Sequence, residues 1–239
     1  MGGTSLRAVT FDFWNTIARL PKGAMTAARL RALAAAFEEG EVEIEPKLLS
    51  AALEDVGAQW ERSWAEGVHL HPSDGAALLV RALGVEEAME AAVAAAFLGA
   101  GREVELELAP DIRPALAALE ERGIRMGIVC DVGFSGGALL RDLLAAEGLL
   151  DRFDGWAFSD EVGHYKPAPQ PFEVVLASLG AQPQEAMHVG DLRRTDVAGA
   201  AALGMRTVRY RGMNEEDEEG WPEADFVIGS HLELVGLIA

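Results

Sequence analysis

Two aspartates and a lysine follow short apolar runs. Asp12 comes after Leu6–Phe11, Asp191 after Met187–Gly190, and Lys166 lies in the loop beyond Trp156–Phe158; Cys130-Asp131 close a fourth such run. Carboxylates brought within a few ångströms repel, and each raises the pKa of the other unless a cation neutralises them. Magnesium suits hard oxygen ligands and takes one or two carboxylates together with substrate phosphate and water. A lysine beside them offsets the remaining negative charge and binds an anionic substrate. One carboxylate is then free to attack, in the aspartyl-phosphate manner of covalent catalysis.

The elements that must position these residues alternate. Leu6–Phe11 is β-prone. Residues 24–39, 46–66, 74–83 and 86–98 are rich in Ala, Leu and Glu with apolar residues three and four apart, and Gly40, Gly67, Gly84 and Gly99 punctuate them. Four amphipathic helices are expected there, with no strand between them. Beyond about residue 105, helical patterns at 111–122, 136–147, 169–179 and 194–203 alternate with apolar runs at 124–130, 155–158, 186–189, 206–210 and 225–228. Strands alternating with helices imply a parallel sheet covered on both faces. The fold class is therefore α/β, a doubly wound parallel sheet with an inserted all-helical domain. The expected division is a core of residues 1–16 and 106–239 and an insert of 17–105. In an open parallel sheet ligands bind beyond the carboxyl ends of the strands, which is where the four polar places converge.

Composition narrows the partners. The 239 residues carry 20 Lys+Arg against 39 Asp+Glu, a formal charge of −19. A chain so acidic repels phosphodiester backbones and anionic lipid heads, so neither nucleic acid nor a membrane surface is expected. The single cysteine, Cys130, allows no internal disulfide. No secretory signal and no apolar membrane span is legible, and a cytoplasmic monomer or homodimer acting on a small anionic molecule is expected. The run Glu215-Glu216-Asp217-Glu218-Glu219 reads as a solvated loop.

Phe-Asp-Phe-Trp-Asn-Thr (11–16), Lys166-Pro167 and Gly190-Asp191-Leu-Arg-Arg-Thr-Asp196 resemble, in order and spacing, motifs one, three and four of the haloacid dehalogenase-like (HAD) hydrolases. The insert resembles that family's cap in its first insertion position. The resemblance implies Asp12 as nucleophile, and Mg2+ held by Asp12, the main-chain carbonyl of Trp14 and Asp191. It implies that Lys166 pairs with the nucleophile and the transferring group, that Asp196 orients Lys166 or the metal waters, and that Thr16 hydrogen-bonds near the nucleophile. The implied activity is a magnesium-dependent phosphatase acting on a small phosphorylated metabolite.

Two positions depart from the family pattern. Phosphatases of the family carry a second Asp two residues after the nucleophile as general acid and base, where this chain has Trp14. Indole donates only a weak hydrogen bond, and losing such an acid costs about 10²–10⁴-fold in rate, most for poor leaving groups. Motif two ends its strand with Ser or Thr, whose hydroxyl binds the transferring group; the aligned residue is Cys130, whose plainer reading is a buried core thiol. Asp131 either points into the site or caps the loop before Gly133. An aromatic residue at position 14 is shared with the dehalogenase branch, which needs no metal. That branch also replaces the acid at position 191 and carries Tyr six residues after the lysine, whereas this chain keeps Asp191 and has Phe172. A metal-independent 2-haloacid dehalogenase is the second reading, and a non-catalytic binding module on the same fold the third.

Plainer roles suit other residues. His69, His71 and His164 fit no zinc spacing. Trp60 and Trp64, one helical turn apart, are expected to pack within the insert, and Arg29 and Arg31 to face solvent.

Overall fold

The structure, a computed structural model, describes residues 5–214 and 220–238; the acidic run 215–219 lies outside them. The chain divides into two compact units. One holds the residues up to Arg19, Leu106–Asp131 and those from Leu144 on; the other holds Leu20–Glu105 and Val132–Leu143.

The first unit is an α/β layer structure. Its strands are β1 (Ala8–Phe11), β4 (Arg125–Cys130), β5 (Gly155–Phe158), β6 (Ala186–Gly190), β7 (Arg206–Tyr210) and β8 (Phe226–Ile228), all parallel in the order β5-β4-β1-β6-β7-β8. The apolar runs of β1, β4 and β6 are strands buried on both faces, whereas β8 at the sheet edge exposes Phe226 and Val227. Chain order reverses at β1, which has β4 on one side and β6 on the other, so the crevice at the switch point opens beyond β1 and β6. Side chains alternate between the faces. Ala8 and Val129 join the apolar layer built by Phe172, Val175, Leu176 and Leu179 of α8 (Pro169–Leu179). Phe11 points the other way, edge-on to His231 of α10 (His231–Gly236), a helix that packs along α5 (Ile112–Glu121).

Two short strands were not legible in the sequence. β2 (Ala18–Arg19) and β3 (Glu107–Leu108) form an antiparallel ribbon that clasps the chain where it leaves and rejoins the sheet unit. Arg19 Nε donates to Glu107 Oε2 across it at 2.7 Å. Two residues per strand are too few for an alternation to register, and the pairing carries the unit's edge from residue 16 to Arg19.

The helical unit contains α1 (Ala24–Glu39), α2 (Pro46–Ala65), α3 (Pro72–Leu83) and α4 (Glu87–Gly99). Proline opens α2 and α3 at a position where the missing N–H has no intrahelical acceptor. His71 caps α3 in a reciprocal box with Asp74, which starts that helix two residues before the expected 74. Leu33, Phe37, Leu49, Val56, Leu79, Val93 and Phe97 meet in its core. Phe134 enters the same core edge-on to Phe97 and Trp60, which is why residues 132–143, expected with the sheet, belong to this unit. Trp60 and Trp64 stack at 5.5 Å. Arg31 is exposed and pairs with Glu103. Arg29 departs from the expectation of solvent exposure: its guanidinium lies over the Phe97 ring at 4.6 Å, and burial draws its pKa down to about 10. Among the described residues no helix is long and apolar enough to cross a membrane.

Candidate active site

Each strand end delivers one group. β1 ends at Phe11, and Asp12 follows with its N–H donating to Val189 O of β6 at 2.8 Å, so the first acid is tied directly to the strand that delivers the second. The chain then turns tightly: the N–H groups of Thr16, Ile17 and Ala18 all converge on Phe13 O, and Asn15 has φ +56°. Among the described residues no backbone hydrogen bond reaches the Trp14 carbonyl oxygen. β6 ends at Gly190, and Asp191 follows. The expected helix 194–203 begins instead as a π-helical turn, Arg193–Val197, continued by α9 (Ala198–Ala202). Its cause is local. Leu192 O accepts from both Asp196 N and Val197 N, while Asp196 Oδ2 accepts from Leu192 N at 3.1 Å. The widened turn carries Asp196 into the site.

Lys166 joins the set from the loop after α7 (Ser159–Val162). Its Nζ donates to Asp12 Oδ1 and Asp196 Oδ1, each at 2.6 Å, and all three side chains are buried. Asp131 Oδ1 accepts from the Lys166 N–H at 3.0 Å, so this acid secures the lysine's backbone. His188 Nε2 lies 3.1 Å from Asp196 Oδ1, and Asn214 Nδ2 donates to Asp191 Oδ2 at 2.7 Å.

The electrostatics follow from burial and neighbours. Burial lifts the Asp12 carboxyl well above the usual range; Lys166 opposes this, while Asp196 and Asp191 add to it. Burial and the Asp196 charge push Asp191 up to about 7. Burial alone would raise Asp196 too, yet the Lys166 ammonium and the His188 contact hold it below the carboxylate range. Burial alone would lower Lys166, but Asp12, Asp196 and Asp131 hold it firmly protonated. One ammonium thus serves two carboxylates. Asp196, with four donors, keeps its negative charge most easily.

That imbalance bears on the metal. Two hard carboxylates at the ends of adjacent strands, both resisting ionisation, and a main-chain oxygen without a backbone partner form the kind of partial set that magnesium completes with substrate and water. Among the described residues no three His, Cys, Asp or Glu side chains form a closed metal cage. The donor set fits an open site rather than a structural one.

The remaining expected residues divide. Cys130 is buried at the end of β4, and burial, then the Asp12 charge, push its thiol well up, which makes it a poor nucleophile. Thr16 does not hydrogen-bond beside Asp12 as expected: its buried hydroxyl has no partner among the described residues, and its carbonyl accepts from His231 Nε2 at 2.8 Å. The tight turn directs Thr16 toward α10 instead. Sequence reasoning missed Thr10, His188, Asn214 and His231. The signal for His188 was a lone imidazole inside a solidly apolar strand.

The family model of the haloacid dehalogenase-like hydrolases matches residues 6–204. A glyceraldehyde 3-phosphate phosphatase from Methanopyrus kandleri is 30% identical over 243 residues, covering 98% of this chain and 97% of that one. The crystal structure of a HAD phosphatase from Thermococcus onnurineus is 23% identical over 98% of each chain, with a TM-score of 0.65. A 2-haloacid dehalogenase from Pseudomonas syringae pv. Tomato DC3000 is also 23% identical, over 97% of this chain and 98% of that one, with a TM-score of 0.70. At that identity the two structures speak for the fold.

Proposed function

Since the chain belongs to the haloacid dehalogenase-like hydrolases, we propose that it is a magnesium-dependent phosphohydrolase that works through an aspartyl-phosphate on Asp12. The observation that carries this reading is the Lys166 ammonium held 2.6 Å from both Asp12 and Asp196, in a buried cluster that also holds Asp191.

Asp12 Oδ2, the oxygen not bonded to Lys166, attacks phosphorus. The bond to the leaving oxygen breaks, and that oxygen takes its proton from solvent, because Trp14 has none to give near neutral pH. Water then attacks the phosphorus of the acyl phosphate, the Asp12–phosphorus bond breaks, and inorganic phosphate leaves the carboxylate restored. Lys166 neutralises charge on the transferring group in both steps, and Asp196 keeps that ammonium in place. Magnesium, when held by Asp12, Asp191 and the Trp14 carbonyl, supplies Lewis-acid neutralisation of the phosphoryl oxygens. Cys130 stands where the family places a hydroxyl for the transferring group, and Asp131 fixes the Lys166 loop. The helical unit is the family's cap.

With no acid at position 14, the enzyme prefers leaving groups that depart unprotonated, so aryl and acyl phosphates turn over faster than alkyl ones. The name of the Methanopyrus kandleri relative makes glyceraldehyde 3-phosphate the first metabolite to assay.

A second reading has one observation in its favour: Trp14 puts an aromatic side chain at the position where the dehalogenase branch has one, here edge-on to Phe13 at 4.7 Å. Asp191 and Phe172 weigh against it. One screen separates the readings. Phosphate release from aryl phosphates that EDTA abolishes supports the phosphohydrolase. Halide release from a 2-haloacid that ignores EDTA replaces it with the dehalogenase. If neither occurs and Asp12→Asn changes nothing, the chain is a binding module.

A further inference from the structure

We propose that Thr10 and His188 form a buried hydrogen-bond relay that fixes the Asp196 carboxylate and so aims Lys166 at Asp12, which makes His188 a positioning residue. The catalytic consequence rests on the phosphohydrolase reading; the relay itself rests on geometry alone.

His188 sits at the centre of β6 among Ala186, Met187, Val189 and Gly190 and is 1% exposed. An imidazole buried this deeply is unfavourable unless both ring nitrogens are bonded. Both are. Nδ1 lies 2.8 Å from Thr10 Oγ1 and Nε2 lies 3.1 Å from Asp196 Oδ1, while the Phe172 ring closes one side edge-on at 5.0 Å. The first contact is imposed by the sheet, because Thr10 and His188 are direct partners in the parallel register of β1 and β6. The relay therefore crosses between the strand that delivers Asp12 and the strand that delivers Asp191.

The proton positions follow from the partners. The Asp196 carboxylate only accepts, so Nε2 carries the hydrogen. Burial keeps the ring neutral, which leaves a lone pair on Nδ1 and directs the Thr10 hydroxyl hydrogen to it at 2.8 Å rather than to Met187 O at 3.4 Å. Asp196 Oδ1 then takes two donors, His188 and Lys166, and Oδ2 takes two more, Leu192 N and Thr195 Oγ1. A carboxylate held at four points does not rotate, so the ammonium it anchors stays within reach of Asp12. Neutrality matters as much as the bond. A second cation at position 188 would compete with Lys166 for Asp196, whereas a neutral donor orients the acid without taking its charge.

The test uses His188→Leu, His188→Gln and Thr10→Val in the full chain, with an aryl phosphate as substrate and thermal melting to confirm folding. Glutamine supplies an N–H at the reach of Nε2 but carries no acceptor at the Nδ1 position to which Thr10 bonds. The relay predicts that His188→Leu lowers kcat about a hundredfold with KM within about twofold, as misplacing a catalytic group by about an ångström does, and that His188→Gln recovers about tenfold of the loss. Thr10→Val falls between leucine and wild type. Nitrogen-15 NMR of the wild-type imidazole should show the neutral tautomer with hydrogen on Nε2. A folded His188→Leu variant with kcat within about twofold of wild type, no recovery with glutamine, or an imidazolium or Nδ1–H ring at neutral pH each overturns the proposal. Should His188→Leu not fold, the glutamine and Thr10 variants decide. If wild type hydrolyses no phosphate ester, the phosphohydrolase reading fails, and the tautomer alone then supports or overturns the relay.

Discussion

The side chain of Asp196 occupies the space where Gly190 would carry a Cβ. An atom placed there would stand 2.2 Å from Asp196 Cγ, 2.5 Å from its Cβ and 2.7 Å from its Oδ1. The last strand residue before Asp191 must therefore be glycine for the acid that holds Lys166 to lie where it does. Gly190→Ala is expected to push Asp196 off Lys166 and His188 and to lower kcat about a hundredfold, as a displacement of about an ångström does at a catalytic group. Gly57→Ala is the matched control, since a Cβ in that part of α2 meets nothing within 4 Å; it should raise stability by about 0.5–1 kcal/mol through helix propensity alone. Steady-state kinetics and melting curves of the two variants check both halves. Equal activity in them would mean that Asp196 has slack that the packing does not show.

Lys166 is the only cation bonded to Asp12 and Asp196 among the described residues. Lys166→Met leaves buried carboxylates uncompensated, which costs about 3–5 kcal/mol of stability at neutral pH on top of abolishing turnover. The deficit has a sign in pH. Without the ammonium both carboxyl groups move upward, so the variant's lost stability returns as the pH falls and they take up protons. Denaturant titrations near about pH 5 and about pH 8 should show the gap between wild type and Lys166→Met shrinking on the acid side. A gap that widens in acid would contradict the ion-pair account.

On the proposed reading, Asp191 ties metal binding to pH. Its carboxyl stands at about 7 in the folded chain against an ordinary value of 3.8, raised first by burial and then by Asp196. A raised acid contributes stability that is complete below the unfolded pKa and is lost as pH rises through the folded one. For Asp191 that window runs from 3.8 to about 7. A divalent cation displaces this proton, so magnesium should bind more tightly and raise the melting temperature more near about pH 8 than near about pH 5, with protons released on binding. Thermal shifts with and without magnesium at the two pH values, and calorimetry in buffers of different ionisation heat, measure both effects. A shift independent of pH would count against Asp191 as a ligand. Asn214→Ala removes the bond that restrains Asp191 and should raise the upper end of that window.

What was legible in the sequence was whatever depended on one strand and its end. Asp12, Asp191 and Lys166 each follow an apolar run, and burial of such runs in a parallel sheet sends the residues after them to one rim. What was not legible depended on pairing between distant segments. Thr10 and His188 touch because β6 lies beside β1, an order that periodicity does not encode, and one polar residue in a five-residue strand reads as noise. Arg29 looks solvent-facing until the Phe97 ring of another helix is placed beneath it. Thr16 has a suitable hydroxyl at a suitable spacing, yet the turn at Phe13 directs its carbonyl to His231 and leaves the hydroxyl unbonded. Residues 132–143 follow a sheet strand directly in the sequence, yet one aromatic side chain, Phe134, commits them to the helical core.

Trp14 offers the sharpest test of how the leaving group departs. The indole is half-buried and rests edge-on against Phe13 at 4.7 Å, and it has no proton to offer near neutral pH. Trp14→Asp introduces the missing acid. An alkyl phosphate, whose leaving oxygen must be protonated, should gain about 10-fold or more in kcat, whereas an aryl phosphate with a stable phenolate should change by less than about threefold. The ratio of the two rates is the informative quantity, because a general change in folding or metal affinity would move both substrates together. If both rise alike, the new carboxylate acts by recruiting the metal. If neither rises while the variant remains folded, proton transfer to the leaving group does not limit this enzyme, and the proposed preference for aryl and acyl esters loses its basis.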